Sequence, residues 1–352
     1  MAFEFETIRD ARAWDAFVMS RPAYSITHSR AWGELKESFG WRPRRFVGYD
    51  DGRAQGGAQI LGRAVPLVGG ELWYAPRGFL VDYGDRDALA ALTAGVRAAA
   101  REARAVAVKI EPLVAADADL TSLAALGYRA TRRHVQPLTT LTLDLRRGED
   151  ELLAGMERQT RYNVNLATRK GVTVRAGIAP EDLNAFYVLL EATTNRKHFL
   201  VHNLAYYEKA LALFRDTSTV LLAEYEGELL AAAFVLGFGR YAYYAYAASA
   251  AAKRELKATN LLAWEAVRWA KSRGYEVFDF WGIPREPAPA NPLYGVYTFK
   301  KGYGGVEVRY APAYDLVLRP AAYGLLNAGL AAQAAFRNLR ARGTVHDPMA
   351  DS

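Results

Sequence analysis

The sequence predicts an α/β (α+β) protein in which one supersecondary unit is used twice, each copy a mixed sheet flanked by helices. Three observations predict it. The order hairpin, aromatic strand, helix, strand, x-Gly-Tyr occurs twice along the 352 residues. The composition, 51% apolar and 24% charged, is that of a globular chain with enough residues for two buried cores. The recurrence covers a whole supersecondary unit and not a short period, which separates it from a solenoid.

The first half opens with helical patterns at Ala11 to Ser20 and Ser29 to Phe39, with Ser25 and Thr27 as candidate caps. In RRFVGYDDGRAQGGAQILGRAV, two strand-like runs flank Asp50-Asp51-Gly52, a hairpin signal. ELWYAP reads as a third strand. Asp85 to Arg104 is rich in Ala and Leu and reads as a helix, and AVAVKIEP follows as a strand. A short helix leads into Leu126-Gly127-Tyr128 and the strand TLTLDL.

The second half repeats that order. STVLLAEYEGELLAAAFVLGF turns at Glu226-Gly227, and RYAYYAYAAS is an aromatic strand. Leu256 to Arg273 reads as an amphipathic helix stopped by Gly274, and YEVFDFWGI as the strand after it. Lys301-Gly302-Tyr303 echoes Leu126-Gly127-Tyr128. Between the halves, Glu149 to Arg169 reads as one helix bearing Arg158, Arg161, Arg169 and, just beyond, Lys170. Gly171 ends it and VTVR starts a strand. Past Asp315 an Ala/Leu helix runs from Pro320 to Arg342, with a frayed tail, GTVHDPMADS.

Several chemistries are excluded. No cysteine is present, so disulfides, thiolate metal sites and a thiol nucleophile are ruled out. There is no Gly-x-Ser-x-Gly elbow and no Gly-x-x-x-x-Gly-Lys-Ser/Thr loop. His198 and His202, four apart, lack a third metal ligand nearby and read as solvated or capping residues. MAFEFETIRD has neither a basic flank nor an apolar run, and the apolar stretch Leu229 to Phe238 is too short to span a bilayer; the expected location is the cytoplasm. The net charge of +7 favours polyanionic partners: nucleic acid, nucleotide diphosphates or an anionic membrane surface.

The element order resembles the GNAT acetyltransferase-like fold, in tandem. Acyl-CoA enzymes of that fold cradle pyrophosphate on Gln/Arg-x-x-Gly-x-Gly/Ala at a helix start. Here Arg254-Glu-Leu-Lys257-Ala-Thr259 fills both glycine positions with other residues, and GDRDALAA in the first half has no match. The scaffold is kept and the cradle is lost, which argues for a different acyl donor.

Five segments, in order from His28 to Tyr314, together resemble the Fem family of nonribosomal peptidoglycan aminoacyltransferases. They are HSRAWGELKESFGW, LWYAPRGFLVDY, RYNVNLATRKGVTVR, NLLAWEAVRWAKSRGYEVFDFWGI and YTFKKGYGG. Phe79 stands where that family often has proline, and the long helical hairpin some members carry is absent, as in the compact members. The resemblance implies aminoacyl transfer from charged tRNA, as co-substrate with no cofactor, to the side-chain amine of the stem-peptide diamino acid. The acceptor is a muramyl-pentapeptide precursor, uridine-diphosphate-linked or lipid-linked. Two rivals remain open: an acyl-CoA-dependent tandem acyltransferase, and a non-catalytic nucleotide- or RNA-binding module.

By the same resemblance, Lys300 stabilises the oxyanion or the acyl ester, with Phe299 beside the reacting groups or in the core. Glu111, where the family often has aspartate, orients or deprotonates the amine or forms a strand-end ion pair. Lys36 and Arg196 are similar to diphosphate ligands. Tyr243, Tyr244 and Tyr246 line the acceptor groove or pack the core, with strand alternation putting Tyr244 and Tyr246 on one face and Tyr243 on the other. Arg77 shapes a loop or touches substrate. The basic residues from Arg158 to Lys170 are candidates for the tRNA acceptor stem. Arg337, Arg340 and Arg342 are candidates for peripheral contact with the inner membrane surface. No protein partner is demanded. The expected domains are residues 1–147 plus 319–352, with the last helix returning to the first domain, and 148–318, with a groove at or near their junction.

Overall fold

In a computed structural model, residues 4–8, 10–66, 68–197 and 201–340 are described. His198, Arg342 and the tail GTVHDPMADS lie outside the described residues, as do the side chains of Arg337 and Arg340. The described chain forms two units: residues up to Leu138 together with those from Tyr310 onward, and Thr139–Arg309.

The first unit contains β1 (Glu4–Thr7), α1 (Ala11–Met19), α2 (Arg30–Glu37), β2 (Arg42–Asp50), β3 (Arg53–Ala64) and β4 (Glu71–Ala75). α3 (Arg86–Glu102), β5 (Ala107–Ile110), α4 (Thr121–Ala125) and β6 (Tyr128–Thr131) follow. The second unit begins with β7 (Thr139–Asp144), α5 (Glu149–Ala154), α6 (Arg158–Arg169), β8 (Thr173–Gly177), α7 (Pro180–Lys197) and α8 (Leu204–Leu213). It continues with β9 (Ser218–Tyr225), β10 (Glu228–Phe238), β11 (Tyr241–Ser249), α9 (Ala258–Ser272), β12 (Val277–Gly282), α10 (Tyr294–Lys301) and β13 (Val306–Arg309). The chain then supplies β14 (Ala313–Val317) and α11 (Pro320–Arg340) to the first unit.

Local chemistry explains the helices that position the site. In α3, Ala88, Leu89, Leu92, Val96 and Ala100 recur at helical spacing and are all buried. The Asp85 side chain caps its first turn. The cap of α2 is Ser29, whose hydroxyl accepts from the Trp32 N–H at 3.1 Å, and not the expected Ser25 or Thr27: Ser25 caps a separate short turn, Ile26–His28, that precedes the helix. In α9, Leu261, Leu262, Ala266 and Val267 pack against β9 to β12 in the core of the second unit.

The two seven-stranded sheets correspond position by position. One runs β1-β2-β3-β4-β5-β14-β6 and the other β8-β9-β10-β11-β12-β7-β13. Each has a parallel pair joined by a helical crossover, β4 with β5 through α3 and β11 with β12 through α9. The recurrence read in the sequence is therefore a recurrence of topology.

The boundaries differ from those expected at 147 and 318. β7, read as the close of the first half, pairs with β12 and β13 of the second sheet. β14 lies between β5 and β6 of the first. The reason is burial: Leu141 and Leu143 of β7 enter the second core, and Leu316 of β14 the first. Each half thus gives its closing strand to the other half's sheet.

The single helix expected over Glu149 to Arg169 is two. α5 stops at Gly155 because the Gly302-to-Gly304 turn comes against it: Glu157 N–H donates to Gly302 O at 2.9 Å. A Cβ on Gly304 would lie 2.0 Å from Gly155 O, at a residue with φ of +78°. We therefore expect Gly304→Ala to lower stability by about 2 kcal/mol or more. Gly295→Ala, in α10 with open space around it, should be neutral or stabilising. Urea midpoints of the two variants check the contrast.

Candidate active site

The second unit builds a polar cluster where β12 ends. β12 pairs regularly with β7 as far as Asp279, and the register then shifts before Gly282. Trp281 takes up the shift with a φ of +64°, a conformation that side chains other than glycine rarely adopt. The buried Asp279 carboxylate holds this bend, accepting the Trp281 N–H at 2.7 Å and the Thr140 hydroxyl. Thr140 also approaches Trp281 O at 3.0 Å. Gly282, where the pairing with β7 resumes, offers its carbonyl to Lys300, whose Nζ donates to it at 2.7 Å.

Lys300 reaches that point from α10, with its stem partly buried. Burial pulls its pKa down from 10.5 to about 8, and Asp279 opposes the fall. Its neighbour Phe299 turns toward the core, edge-on to Tyr303 with ring centres 5.5 Å apart. Tyr303 is anchored through its hydroxyl to Asn260 O at 2.8 Å. Phe299 thus holds α10 against the core.

The aromatic strand departs from simple alternation. Tyr244 pairs with Val235 and Tyr246 with Phe234, so Ala245 is an extra residue opposite a continuous partner. Tyr244 points into the core with Phe278 and Phe280. Tyr246 lies on the other face, against Tyr207 and Phe234. The expected sharing of one face by Tyr244 and Tyr246 is therefore corrected: the bulge puts Tyr246 on the face of Tyr243. Tyr243 packs edge-on to Trp281, at 5.6 Å, beside the bend of β12. Burial raises the hydroxyl pKa of both Tyr244 and Tyr246.

On α7, Arg196 donates from Nη2 to Ser249 O at 2.9 Å. Its Nε is buried without a hydrogen-bond partner among the described residues. His202 lies before α8, outside a helix, and stacks on Tyr206. Among the described residues no cluster of His, Cys, Asp or Glu could hold a metal.

The helix starts after the aromatic strands differ between the units. Asp85 occupies the start of α3 with its own carboxylate. The start of α9 has no side-chain cap, and Lys253 and Lys257 there hold φ values of +51° and +57°. Of the two positions where the acyl-CoA motif has glycine, Lys257 takes the left-handed conformation and Thr259 lies within α9.

The first unit holds the other three candidates. Lys36 lies 4.7 Å from the centre of the Trp32 ring, and burial lowers its pKa to about 8. Glu111 is buried and its oxygens are occupied: Tyr74 O–H donates to it, as do the N–H groups of Val135 and Gln136. Burial raises its pKa against those bonds. Arg77 shapes its loop, with φ of +60°, a bond to Pro137 O at 3.0 Å and its guanidinium over Tyr310.

Asp279, Thr140 and Trp281 were not singled out from the sequence. FDFWG reads as an ordinary buried strand, and the one local signal is a carboxylate inside an otherwise apolar run.

The profile of the FemAB family matches residues 10–126, 120–228 and 223–329. A lipid II:glycine glycyltransferase of Staphylococcus aureus (strain USA300) is 27% identical over 390 aligned positions, 89% of this chain and 92% of that protein. The crystal structure of FemX superposes with a TM-score of 0.84 and 26% identity, over 92% of this chain and 99% of FemX. L-PGS from Bacillus licheniformis, at 16% identity and TM-score 0.54 over 88% of this chain and 92% of its own, shares the fold alone.

The cluster makes a prediction of its own. Asp279→Asn keeps an acceptor for the Trp281 N–H and removes the charge that holds the Lys300 pKa up. The Lys300 amine should then titrate below about 8. Carbon NMR of the reductively methylated protein across pH reads this directly, and an unchanged titration would count against the electrostatic link.

Proposed function

The chain belongs to the FemAB family, and we propose that it is an aminoacyltransferase that forms or extends the interpeptide bridge of peptidoglycan. The donor is an aminoacyl-tRNA. The acceptor is the side-chain amine of the diamino acid in a muramyl-peptide precursor. The name of the Staphylococcus aureus relatives favours the lipid-linked form of that precursor. The observation that carries the reading is Lys300, in the family's Phe-Lys segment, held against the Gly282 carbonyl with a pKa near 8.

The chemistry follows from those groups. The donor is an activated ester, so attack needs neither ATP nor a metal. The acceptor amine adds to the ester carbon, and the carbonyl electron pair moves onto oxygen. Lys300 uses one N–H on Gly282 O, and another can donate to that oxyanion. The C–O bond to the ribose then breaks, and the proton lost by the amine ends on the departing ribose oxygen. Glu111 is a poor candidate to carry that proton while Tyr74, Val135 and Gln136 occupy it. Its proposed part is to hold the segment around Val135 and Gln136. Arg196, with an unpartnered Nε, and Lys36 are the proposed phosphate ligands.

The first test is transfer of labelled amino acids from a charged-tRNA pool to uridine-diphosphate-linked and lipid-linked acceptors, supplied separately. Label in neither acceptor, with folded protein, would sink the assignment. Lys300→Ala should lower kcat by roughly a hundredfold to a thousandfold, the usual effect of removing one oxyanion donor.

A pH profile separates donor from base. An ammonium donor with a pKa of about 8 loses its proton as pH rises through that value, so kcat should fall on the alkaline side. Lys300→Arg keeps its charge throughout and should lose that limb. A rise in kcat through pH 8 in the wild type, absent from Lys300→Arg, would instead make Lys300 a base.

A further inference from the structure

The structure fixes α11 at its beginning and leaves it uncovered further on. Arg319 donates to Gly69 O at 2.6 Å and Val68 O at 3.1 Å. Tyr323 O–H donates to Asp315 at 2.6 Å, and Arg133 donates to the Asn327 side chain at 2.9 Å. Beyond Asn327, every residue from Ala328 to Ala332 is exposed. The exposed residues are apolar: Leu325 and Leu330 are 66% and 43% exposed.

The sequence sets the partner. From Pro320 to Phe336 no residue is charged; Arg337, Arg340 and Arg342 follow, and no acidic residue lies between Asp315 and Asp347. Such a segment buries apolar surface only where its cations also meet anions. A second copy of the helix offers no carboxylate to them in either orientation. A bilayer of anionic phospholipid offers both, with acyl chains for Leu325 and Leu330 and phosphates for the arginines. Among the described residues no helix is long and apolar enough to cross a membrane, so the segment lies along the surface.

We infer that α11, from Leu325 onward, is a surface anchor for an anionic phospholipid bilayer. The inference stands on this helix and not on the transfer reaction, and its test uses no substrate.

The test is co-sedimentation of the full chain with vesicles of phosphatidylcholine alone and with mixed phosphatidylcholine–phosphatidylglycerol vesicles. The wild type should sediment with the mixed vesicles, much less with the neutral ones, and be released by high salt. Leu330→Glu should weaken binding roughly tenfold or more, and each of Arg337→Gln and Arg340→Gln roughly fivefold. Leu330→Glu should keep the wild-type unfolding midpoint, which separates lost binding from lost fold. The inference is overturned if the wild type does not prefer the anionic vesicles or if Leu330→Glu binds as the wild type does. A dimer that Leu330→Glu dissociates, with no vesicle binding, would overturn it in favour of a second copy.

Discussion

The ladder between β12 and β7 slips between Asp279 and Gly282 before it resumes, and the candidate site is built around that irregularity. Backbone groups that leave a sheet must find other partners or stay exposed. Asp279 takes the Trp281 N–H, Thr140 donates to Asp279, and Trp281 absorbs the turn with a positive φ. The Gly282 carbonyl receives Lys300. The conformational strain and the buried carboxylate are concentrated at the same few residues as the lysine whose pKa is displaced.

The two units use one topology for different ends. The position of Asp279 in the second sheet corresponds to Lys109 in the first. Lys109 is neutralised by Asp315 on the adjacent strand, at 2.8 Å. The carboxylate at the end of β5, Glu111, is filled by an aromatic hydroxyl and two backbone donors. The start of α3 is closed by Asp85, whereas that of α9 carries lysines and no cap. In the first unit Glu111 and Asp85 are occupied by neighbouring donors of the same unit. In the second, Arg196 Nε and the donors of Lys300 remain for something else.

The aromatic strand shows how one inserted residue changes a site. Without the bulge at Ala245, Tyr244 and Tyr246 would share the core face of the second sheet. With it, Tyr246 joins Tyr243, and Tyr243 lies against Trp281 at the bend of β12. A shift by one position exchanges the faces of a strand.

The sequence by itself determined whatever rests on near neighbours. The hairpins at Asp51-Gly52 and Glu226-Gly227 follow from turn chemistry, and α3 and α9 from their apolar residues at helical spacing. Motif order made Lys300 a candidate, and the structure places it against the Gly282 carbonyl. Tertiary structure alone decided whatever rests on distant partners. Which sheet receives β7 and β14 depends on cores assembled from both ends of the chain. The break after α5 depends on Gly304, far along the sequence. The Glu111 carboxylate is filled by residues 37 and 24 positions away, Tyr74 and Val135. A local pattern records the conformations a segment can adopt, while hydrogen-bond partners and burial across the chain select among them, and the site sits where that selection overrode the pattern.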